Sequence, residues 1–223
     1  MFINFSQISE RAYLLDYGNG IDISTNTKVL NHFNYIKSLN LKYINNIVPS
    51  FNKLLIQYDP IKKNHIIKLI NKLKKINKKF TNAIKVHNIE ICYDEEYSLD
   101  YKIIEKYLSL DFNSFIKLHL KTNFHVYMIG FLPGLPFLGV MKHNGKIPRL
   151  ESPRLMVPSG SVAIVDNLNV IYPSDSPGGW NIIGKTPLNL FNINKENTSL
   201  LHPGDTVKFR SITKKELLSF KNE

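Results

Sequence analysis

The first 86 residues alternate between strand-like and helix-like hydrophobic patterns. Short apolar runs predict strands at Ala12–Tyr17 and Lys53–Tyr58, and between them apolar residues recur at helical spacing from Ser24 to Leu39. The clearest helix is predicted over residues 61–80, where an apolar stripe lies opposite a side filled by lysines. This strand–helix–strand–helix order predicts a small α+β domain over residues 1–86.

The basic helix predicted over residues 61–80 has two interpretations. An amphipathic helix with a lysine-rich face can lie on an anionic membrane. The same pattern also occurs where a helix covers one face of a sheet, and predicted strands flank the helix here. We therefore favour a helix that packs on a sheet.

A second set of short elements follows in residues 87–223. Strands are predicted at His87–Tyr93, Phe124–Ile129, Leu188–Phe191 and Thr206–Phe209. Helices are predicted at residues 103–108, at residues 115–120 with Asn113 or Ser114 as N-cap, and from Lys214 onwards. These elements predict a second domain over residues 87–223.

The stretch Gly130–Pro187 is rich in proline and glycine. It reads G-F-L-P-G-L-P-F-L-G from Gly130, P-S-G-S from Pro158 and S-P-G-G-W from Ser176. Proline fixes φ and lacks an amide donor, and glycine opens backbone regions that other residues avoid, so no long helix can form. We expect short strands joined by rigid loops, which are frequent locations of binding sites.

The formal charge of +11 on 223 residues raises the question of nucleic-acid binding. Between Lys53 and Lys85, ten lysines against one acid, Asp59, supply about nine of these charges. That segment contains no arginine, which nucleic-acid surfaces usually include. We therefore favour a solvated lysine face and predict no nucleic-acid partner.

Several classes of protein and site lack support in the sequence. No run of about 18 apolar residues predicts a membrane span, and the first residues lack the features of a signal peptide. A single cysteine, Cys92, excludes an internal disulfide and a cysteine-rich metal site. The acids at positions 94–96 lack the spacing of a calcium loop. We therefore predict no metal site and a cytoplasmic location.

Arginine is rare in this lysine-rich chain, and two of its four arginines fall within the proline- and glycine-rich stretch. Arg149 and Arg154 each follow a proline. A planar guanidinium suits a carboxylate or phosphate, which predicts recognition of an anionic ligand. The alternative, which has equal support, is that they hold loops together by pairing with Glu151, Asp166 or Asp175.

The loop Ser174–Trp180 places hydroxyl groups and a carboxylate ahead of two glycines. Gly178 and Gly179 let the backbone approach a ligand closely, and consecutive amides can form an anion-binding nest. Trp180, the only tryptophan, either walls a pocket or fills the core, and Tyr172 is a second candidate wall. The candidate substrate- or phosphate-binding residues are Arg149, Arg154, Ser161, Tyr172, Ser174, Ser176, Gly178, Gly179, Trp180 and Lys185.

Other chemistry-bearing groups give weaker signals. Residues Gly179–Thr186 match the spacing of a phosphate-binding loop, but Pro187 follows where that motif enters a helix. Ser161 lacks the G-x-S-x-G elbow of a nucleophilic serine. The histidines at positions 119, 125, 143 and 202 are acid–base candidates by type alone, so no catalytic residue is assigned.

An ordered set of motifs resembles one protein family. It comprises G-F-L-P-G to F-L-G in residues 130–139, P-R with V-P-S-G-S-V in 153–162, I-Y-P with S-P-G-G-W in 171–180, I-G-K-T-P-L in 183–188 and P-G-D in 203–205. Weaker N-terminal similarities extend the set over almost the whole chain. It is similar to the B subunit of bacterial 5-oxoprolinase, also called allophanate hydrolase subunit 1, a family that includes Kip-type inhibitors of a histidine kinase.

The resemblance implies an α+β fold class, with a cyclophilin-like β-barrel after the N-terminal domain. It implies a subunit of an enzyme that opens 5-oxoproline to glutamate beside the C and A subunits as partners. ATP would be the co-substrate, bound by this chain or by a partner. Two alternatives stay open: a regulator that binds a sensor histidine kinase, and a carboxyltransferase subunit that acts on a urea-derived substrate.

The chain departs from this family's pattern at three places. Leu168–Asn169 stands where a Gln-Thr pair is common, Lys185 where arginine is usual, and Ser159 where alanine is usual. These departures concern expected site residues and leave the predicted fold unchanged.

Overall fold

A four-stranded antiparallel sheet is the centre of the N-terminal unit in a computed structural model that describes residues 2, 4–76, 80 and 83–220. The chain divides into two units, Met1–Ile84 and Lys85–Glu223. The strands of the first are β1 (Asn4–Ser9), β2 (Ala12–Asp16), β3 (Ile44–Pro49) and β4 (Lys53–Tyr58), in the order β1-β2-β4-β3. The two predicted strands are therefore the two central ones, β2 and β4.

The sequence pattern does not predict the edge strands β1 and β3. Five of the six residues of β1 are exposed, and β3 begins Ile-Asn-Asn. Each pairs with its neighbour through the backbone, β1 with β2 and β3 with β4. An edge strand with so few buried side chains lacks the alternation by which a strand is recognised.

Two helices complete this unit, α1 (Ile23–Ser38) and α2 (Lys63–Leu73). The Asp22 carboxylate caps α1 by accepting the Thr25 N–H at 2.8 Å. The apolar stripe of α2, which includes Ile66 and Ile70, is fully buried in one core cluster with residues of β2 and β4. The prediction that the basic helix covers a sheet is confirmed.

Helix α2 ends earlier than the predicted position 80. Leu73 is its last residue and the last of its buried stripe. Lysines at positions 68, 72 and 75 lie three or four residues apart, where like charges repel along a helix. The predicted continuation over residues 77–79 lies outside the described residues. Within the described part of the chain, no helix is both long and apolar enough to cross a membrane.

A seven-stranded, nearly closed barrel forms the centre of the second unit. Its strands are β5 (Val86–Ile91), β6 (Phe124–Ile129), β7 (Pro136–Gly139), β9 (Ser161–Val165), β10 (Leu168–Ile171), β12 (Asn181–Lys185) and β13 (Thr206–Ser211). Their order is β12-β9-β10-β7-β6-β13-β5. Directly after β5, Cys92 exchanges two backbone hydrogen bonds of 2.8 and 2.9 Å with Lys185, which joins the edges β5 and β12. The predicted α+β fold with a C-terminal barrel is confirmed.

The barrel interior is filled by one apolar cluster to which all seven strands contribute. Four strands, β5, β6, β9 and β13, each supply two alternate buried residues, and the other three supply one each, Leu138, Ile171 and Ile183. Helices α3 (Tyr101–Leu108) and α4 (Phe112–Lys121) add Ile104 and Phe115 to this cluster. A last helix, α5 (Lys214–Ser219), begins with a capping box formed by Thr213 and Glu216.

Two local predictions for this unit are wrong. Helix α4 is capped by Asp111, whose carboxylate accepts the Ser114 N–H at 3.0 Å, and not by Asn113 or Ser114. Residues 188–191 form no strand beyond a single bridge of Phe191 with Ser199. There the Thr186 hydroxyl and the Asn189 side chain accept nearby backbone N–H groups, which replaces ladder bonding by local turns.

Candidate functional site

A second apolar cluster lies on the outward-facing side of β9, β10 and β12. Residues on these strands alternate, so that Val162 and Ile164 face the barrel interior while Ala163 belongs to the outer cluster. A two-stranded ribbon formed by β8 (Arg154–Val157) and β11 (Ser176–Gly178) contributes Val157 to the outer cluster. The proline- and glycine-rich stretch therefore supplies both the ribbon and most of the strands beneath it.

A cavity of about 300 Å³ opens at this outer cluster, and we call it the outer pocket. Its lining consists of Phe131, Leu135, Phe137, Arg149, Pro153, Val170, Tyr172 and the segment Pro177–Trp180. The walls are mainly aromatic and aliphatic, with one guanidinium among them. Such a combination of apolar walls and few polar groups is typical of a small-molecule site.

Arg149 lies exposed at the outer pocket, and its guanidinium carbon is 5.8 Å from the centre of the Trp180 ring. That distance places the cation over the face of the indole. Among the described residues, no carboxylate lies within ion-pair distance of Arg149. Because its donors are not committed to a protein acid, this arginine is the group best placed to accept an anionic ligand.

Tyr172 and Gly178 meet in the lining of the outer pocket. A side-chain carbon built on Gly178 would come within 2.4 Å of the Tyr172 hydroxyl oxygen, so only glycine leaves room for that hydroxyl. Tyr172 is 2% exposed, and burial raises the pKa of its hydroxyl, against smaller opposing effects of Arg149, the Trp180 backbone N–H and Arg154. The hydroxyl is therefore protonated at neutral pH.

Arg154 lies at the start of β8 and is held by a carboxylate. Its Nη2 donates to Asp100 Oδ1 at 2.7 Å, and the other oxygen of Asp100 accepts the Ile182 N–H at 2.7 Å. Asp100 is buried, so Arg154 supplies the charge that this carboxylate needs. None of the three acids suggested by the sequence is its ion-pair partner; Asp175 instead accepts the Ser159 N–H.

Four other predicted residues do not line the outer pocket. Ser161 is buried in β9, and Ser176 is buried at the start of β11. Ser174 lies exposed in the loop before β11. Lys185 ends β12, with its ammonium 5.9 Å from the centre of the Tyr97 ring. Of the ten predicted residues, the pocket thus brings together Arg149, Tyr172, Gly178, Gly179 and Trp180.

Six lining residues were absent from the predicted set: Phe131, Leu135, Phe137, Pro153, Val170 and Pro177. Phe131 is 71% exposed and has a φ of 72°, in the left-handed region that residues with side chains rarely adopt. Its position between Gly130 and the Pro-Gly pair that follows is the signal that could have identified it, because strained backbone clusters at ligand sites.

The departure at Leu168–Asn169 affects the barrel interior more than the outer pocket. Asn169 is fully buried, and its Oδ1 accepts from Nε2 of His119 at 3.2 Å, while Nδ1 of His119 accepts from the Tyr93 hydroxyl at 2.7 Å. Burial lowers the pKa of His119 to about 3, so the imidazole is neutral. The side chain of Leu168 packs against the outer cluster.

The remaining titratable groups do not form a metal centre. In the described part of the chain, no group of three or more histidine, cysteine, aspartate or glutamate side chains could hold a metal ion. His87 Nε2 lies 3.0 Å from Asp205 Oδ2, and the same carboxylate accepts the Lys85 and His202 N–H groups. These contacts fix the start of β13 beside β5.

Comparisons with known proteins support a family assignment. Residues 3–201 match the family described as "Carboxyltransferase domain, subdomain C and D". The chain is similar to the 5-oxoprolinase B subunit of Bacillus subtilis (strain 168), with 32% identity over 97% of this chain and 96% of that protein. The resemblance inferred from the sequence motifs is confirmed.

Two solved structures share the fold. The crystallised protein TTHA0988 superposes with a TM-score of 0.81 at 29% identity over 91% of this chain, which spans 40% of the TTHA0988 chain. The urea amidolyase of K. lactis superposes with a TM-score of 0.79 over 96% of this chain and 15% of that one; its 19% identity supports the fold alone.

Proposed function

The chain belongs to the carboxyltransferase-domain family of the 5-oxoprolinase B subunit, and we propose that it is the subunit of an ATP-dependent 5-oxoprolinase that binds 5-oxoproline in its outer pocket. The enzyme complex would open this cyclic amide to glutamate. The observation that carries the proposal is one exposed guanidinium, without a carboxylate partner among the described residues, beside a small pocket with aromatic walls.

Each part of 5-oxoproline has a counterpart in the outer pocket. The ligand is a five-membered ring with one carboxylate, and Arg149 offers the donors that suit a carboxylate. Phe137 and Trp180, whose ring centres are 5.9 Å apart, form apolar walls against which the ring packs. The volume of about 300 Å³ is at the lower end for ligand sites, as expected for a small acid.

The segment with phosphate-loop spacing does not fit the triphosphate of ATP. The segment with phosphate-loop spacing, Gly179–Thr186, contains strand β12, whose N–H groups are already used. Ile182 donates to Asp100, Lys185 to Cys92 and Thr186 to Gly160. No run of free amides is left there to form a phosphate cradle. We therefore assign the nucleotide to a partner subunit.

The partners in this proposal are the C and A subunits of 5-oxoprolinase, with the complex in the cytoplasm. Support comes from the B. subtilis relative, which is named as a subunit, and from TTHA0988, in which this fold is part of a chain more than twice as long. In this proposal the outer pocket binds the ring acid, and a second polypeptide supplies the nucleotide site for the ATP-dependent chemistry.

Co-expression of the chain with the C and A subunits, followed by an assay for 5-oxoproline-dependent ATP hydrolysis, tests the proposal. The complex is expected to turn over, and Arg149→Ala is expected to raise KM for 5-oxoproline by about 10-fold or more, because a charge-assisted hydrogen bond contributes roughly 1.5–3 kcal/mol. Arg210→Ala is the matched control, since Arg210 pairs with Glu90 on β5 and is 62% exposed. Absence of turnover with every combination of partners, or an Arg149→Ala complex with the wild-type KM, would contradict the proposal.

A further inference from the structure

The Tyr172 hydroxyl has a donor that no protein acceptor uses among the described residues. The Trp180 backbone N–H acts on its oxygen, and its proton is left for an acceptor in the outer pocket. Tyr172 lines the outer pocket, as does Gly178, whose missing side chain makes room for the hydroxyl. The hydroxyl oxygen is not among the enclosed polar atoms that lack a partner, so its donor is open to the outer pocket, where a ligand or water can accept from it.

The charges near Tyr172 favour a ligand with an acceptor oxygen. Arg149 and Arg154 both act on the hydroxyl electrostatically, and Asp100 neutralises only Arg154. Burial is the main effect on this group and keeps it in the protonated form, which can donate. A neutral donor beside one uncompensated cation suits a ligand that carries a carboxylate at one end and a carbonyl oxygen at the other.

We propose that the Tyr172 hydroxyl donates a hydrogen bond to the ring carbonyl oxygen of the bound acid and so determines specificity for cyclic amides over simple ring acids. This inference rests on the proposed function and deepens it, since it assigns the carboxylate to Arg149 and the amide to Tyr172. Gly178 has a supporting role, because a side chain at that position would displace the hydroxyl.

If Tyr172 positions the ring carbonyl, loss of its donor weakens a ligand that has this carbonyl and not a ligand that lacks it. Two probes separate it from a merely apolar wall: 5-oxoproline, and cyclopentanecarboxylate, which has a five-membered ring and a carboxylate but no ring carbonyl. A site that hydrogen-bonds a carbonyl discriminates against the analogue that lacks it, because the bound analogue would cover the donor without giving it a partner.

The experiment is a calorimetric titration of the full chain in complex with its co-expressed partners, without ATP so that no turnover occurs. Tyr172→Phe is expected to weaken 5-oxoproline binding by about 5- to 10-fold, the effect of one neutral hydrogen bond. Binding of cyclopentanecarboxylate is expected not to weaken and to tighten if anything, since that ligand offers the hydroxyl no acceptor and the variant removes the unpaired donor. Equal weakening for both probes, or weakening for neither, would overturn the inference while leaving the proposed function intact.

A wild-type complex that binds neither probe would overturn the proposed function and this inference together.

Gly178→Ala tests the geometry independently of the ligand. It is expected to lower the unfolding temperature in the wild-type background and to lower it less in the Tyr172→Phe background, because the closest contact, at 2.4 Å, is with the hydroxyl oxygen. Gly179→Ala is the stability control, since its nearest neighbours are Pro153 atoms at 3.6 Å or more. An equal effect of Gly178→Ala in both backgrounds would contradict the proposed packing.

Discussion

Arg149 and Arg154 both follow a proline in the same loop region, yet the two guanidinium groups have different surroundings. Arg149 lies exposed over the Trp180 ring at the outer pocket, without an ion-pair partner among the described residues. Arg154 is held by Asp100, a buried acid whose second oxygen binds the backbone of β12. In the function proposed above, the same residue type binds the ligand at one position, whereas at the other it holds a buried acid beside the barrel joint.

The surroundings of Asp100 explain why Arg154 has a structural role. Asp100 N donates to the Ile182 carbonyl, and the Ser98 hydroxyl donates to the Ile183 carbonyl, so residues 98–100 line the free edge of β12. The bridge between Cys92 and Lys185 closes the barrel at the same edge. An unpaired carboxylate at this position would place an uncompensated charge beside the joint of the barrel.

Replacing Arg154 is expected to give the largest loss of stability. Arg154→Ala leaves the buried Asp100 carboxylate without its cation, and the free energy of unfolding should fall by about 3 kcal/mol. Urea unfolding followed by the fluorescence of Trp180, the single tryptophan, reports on the barrel unit in which it lies. Arg210→Ala, which removes an exposed pair, should cost about 0.5 kcal/mol. Similar losses of stability for the two variants would show that Arg154 contributes no more than an exposed arginine does.

The division of labour between the two arginines could not be predicted from the sequence. Asp100 lies 54 residues before Arg154, and only the closed barrel brings them together. The predicted partners, Glu151, Asp166 and Asp175, all came from the same proline- and glycine-rich stretch, because spacing alone indicates nothing about more distant contacts. By contrast, Gly178, Gly179 and Trp180 belong to one short motif, so their common location in the pocket follows from the chain itself.

The fold shows the same limit. Elements with a buried face, such as β2, β4 and β13, follow from their hydrophobic patterns. The edge strands β1 and β3 give no such signal, because few of their side chains are buried and they are recognised by their backbone pairing. Leu188–Phe191 has an apolar pattern, but local side-chain hydrogen bonds after Pro187 prevent a strand. The hydrophobic pattern therefore predicts which strands have a buried face, but it does not predict which strands pair at the edge of a sheet.

The barrel interior offers a pH-dependent test that does not involve either arginine. His119 is neutral in the folded state, with a pKa lowered to about 3 by burial, whereas an unfolded histidine titrates near 6.5. The stability that the neutral imidazole of His119 provides is fully present above pH 6.5. It is lost as the pH falls below that value, because the unfolded state then binds a proton that the folded state does not. Between pH 6.5 and pH 5 the barrel should lose about 2 kcal/mol from this group.

The variant His119→Gln identifies the source of this dependence. It should flatten the stability profile monitored by Trp180, with a residual slope from His125, whose pKa burial also lowers. The matched control is His32→Gln: His32 also binds a tyrosine hydroxyl, that of Tyr17 at 2.7 Å, and burial lowers its pKa to about 4, but it belongs to the N-terminal unit. A wild-type slope in His119→Gln would show that another group causes the pH dependence.

The expected effect of Arg149 on stability is as small as that of the exposed control Arg210. Arg149→Ala removes an exposed cation over the Trp180 ring, an interaction that contributes about 0.5 kcal/mol, so the urea midpoint should move little. The Trp180 emission of the folded protein should nevertheless change, because the guanidinium leaves the indole face. A residue that changes KM strongly and stability weakly is one whose donors serve the ligand. A loss of about 2 kcal/mol or more for Arg149→Ala would instead place both arginines in the same structural role, and the anionic subsite would then need another cation.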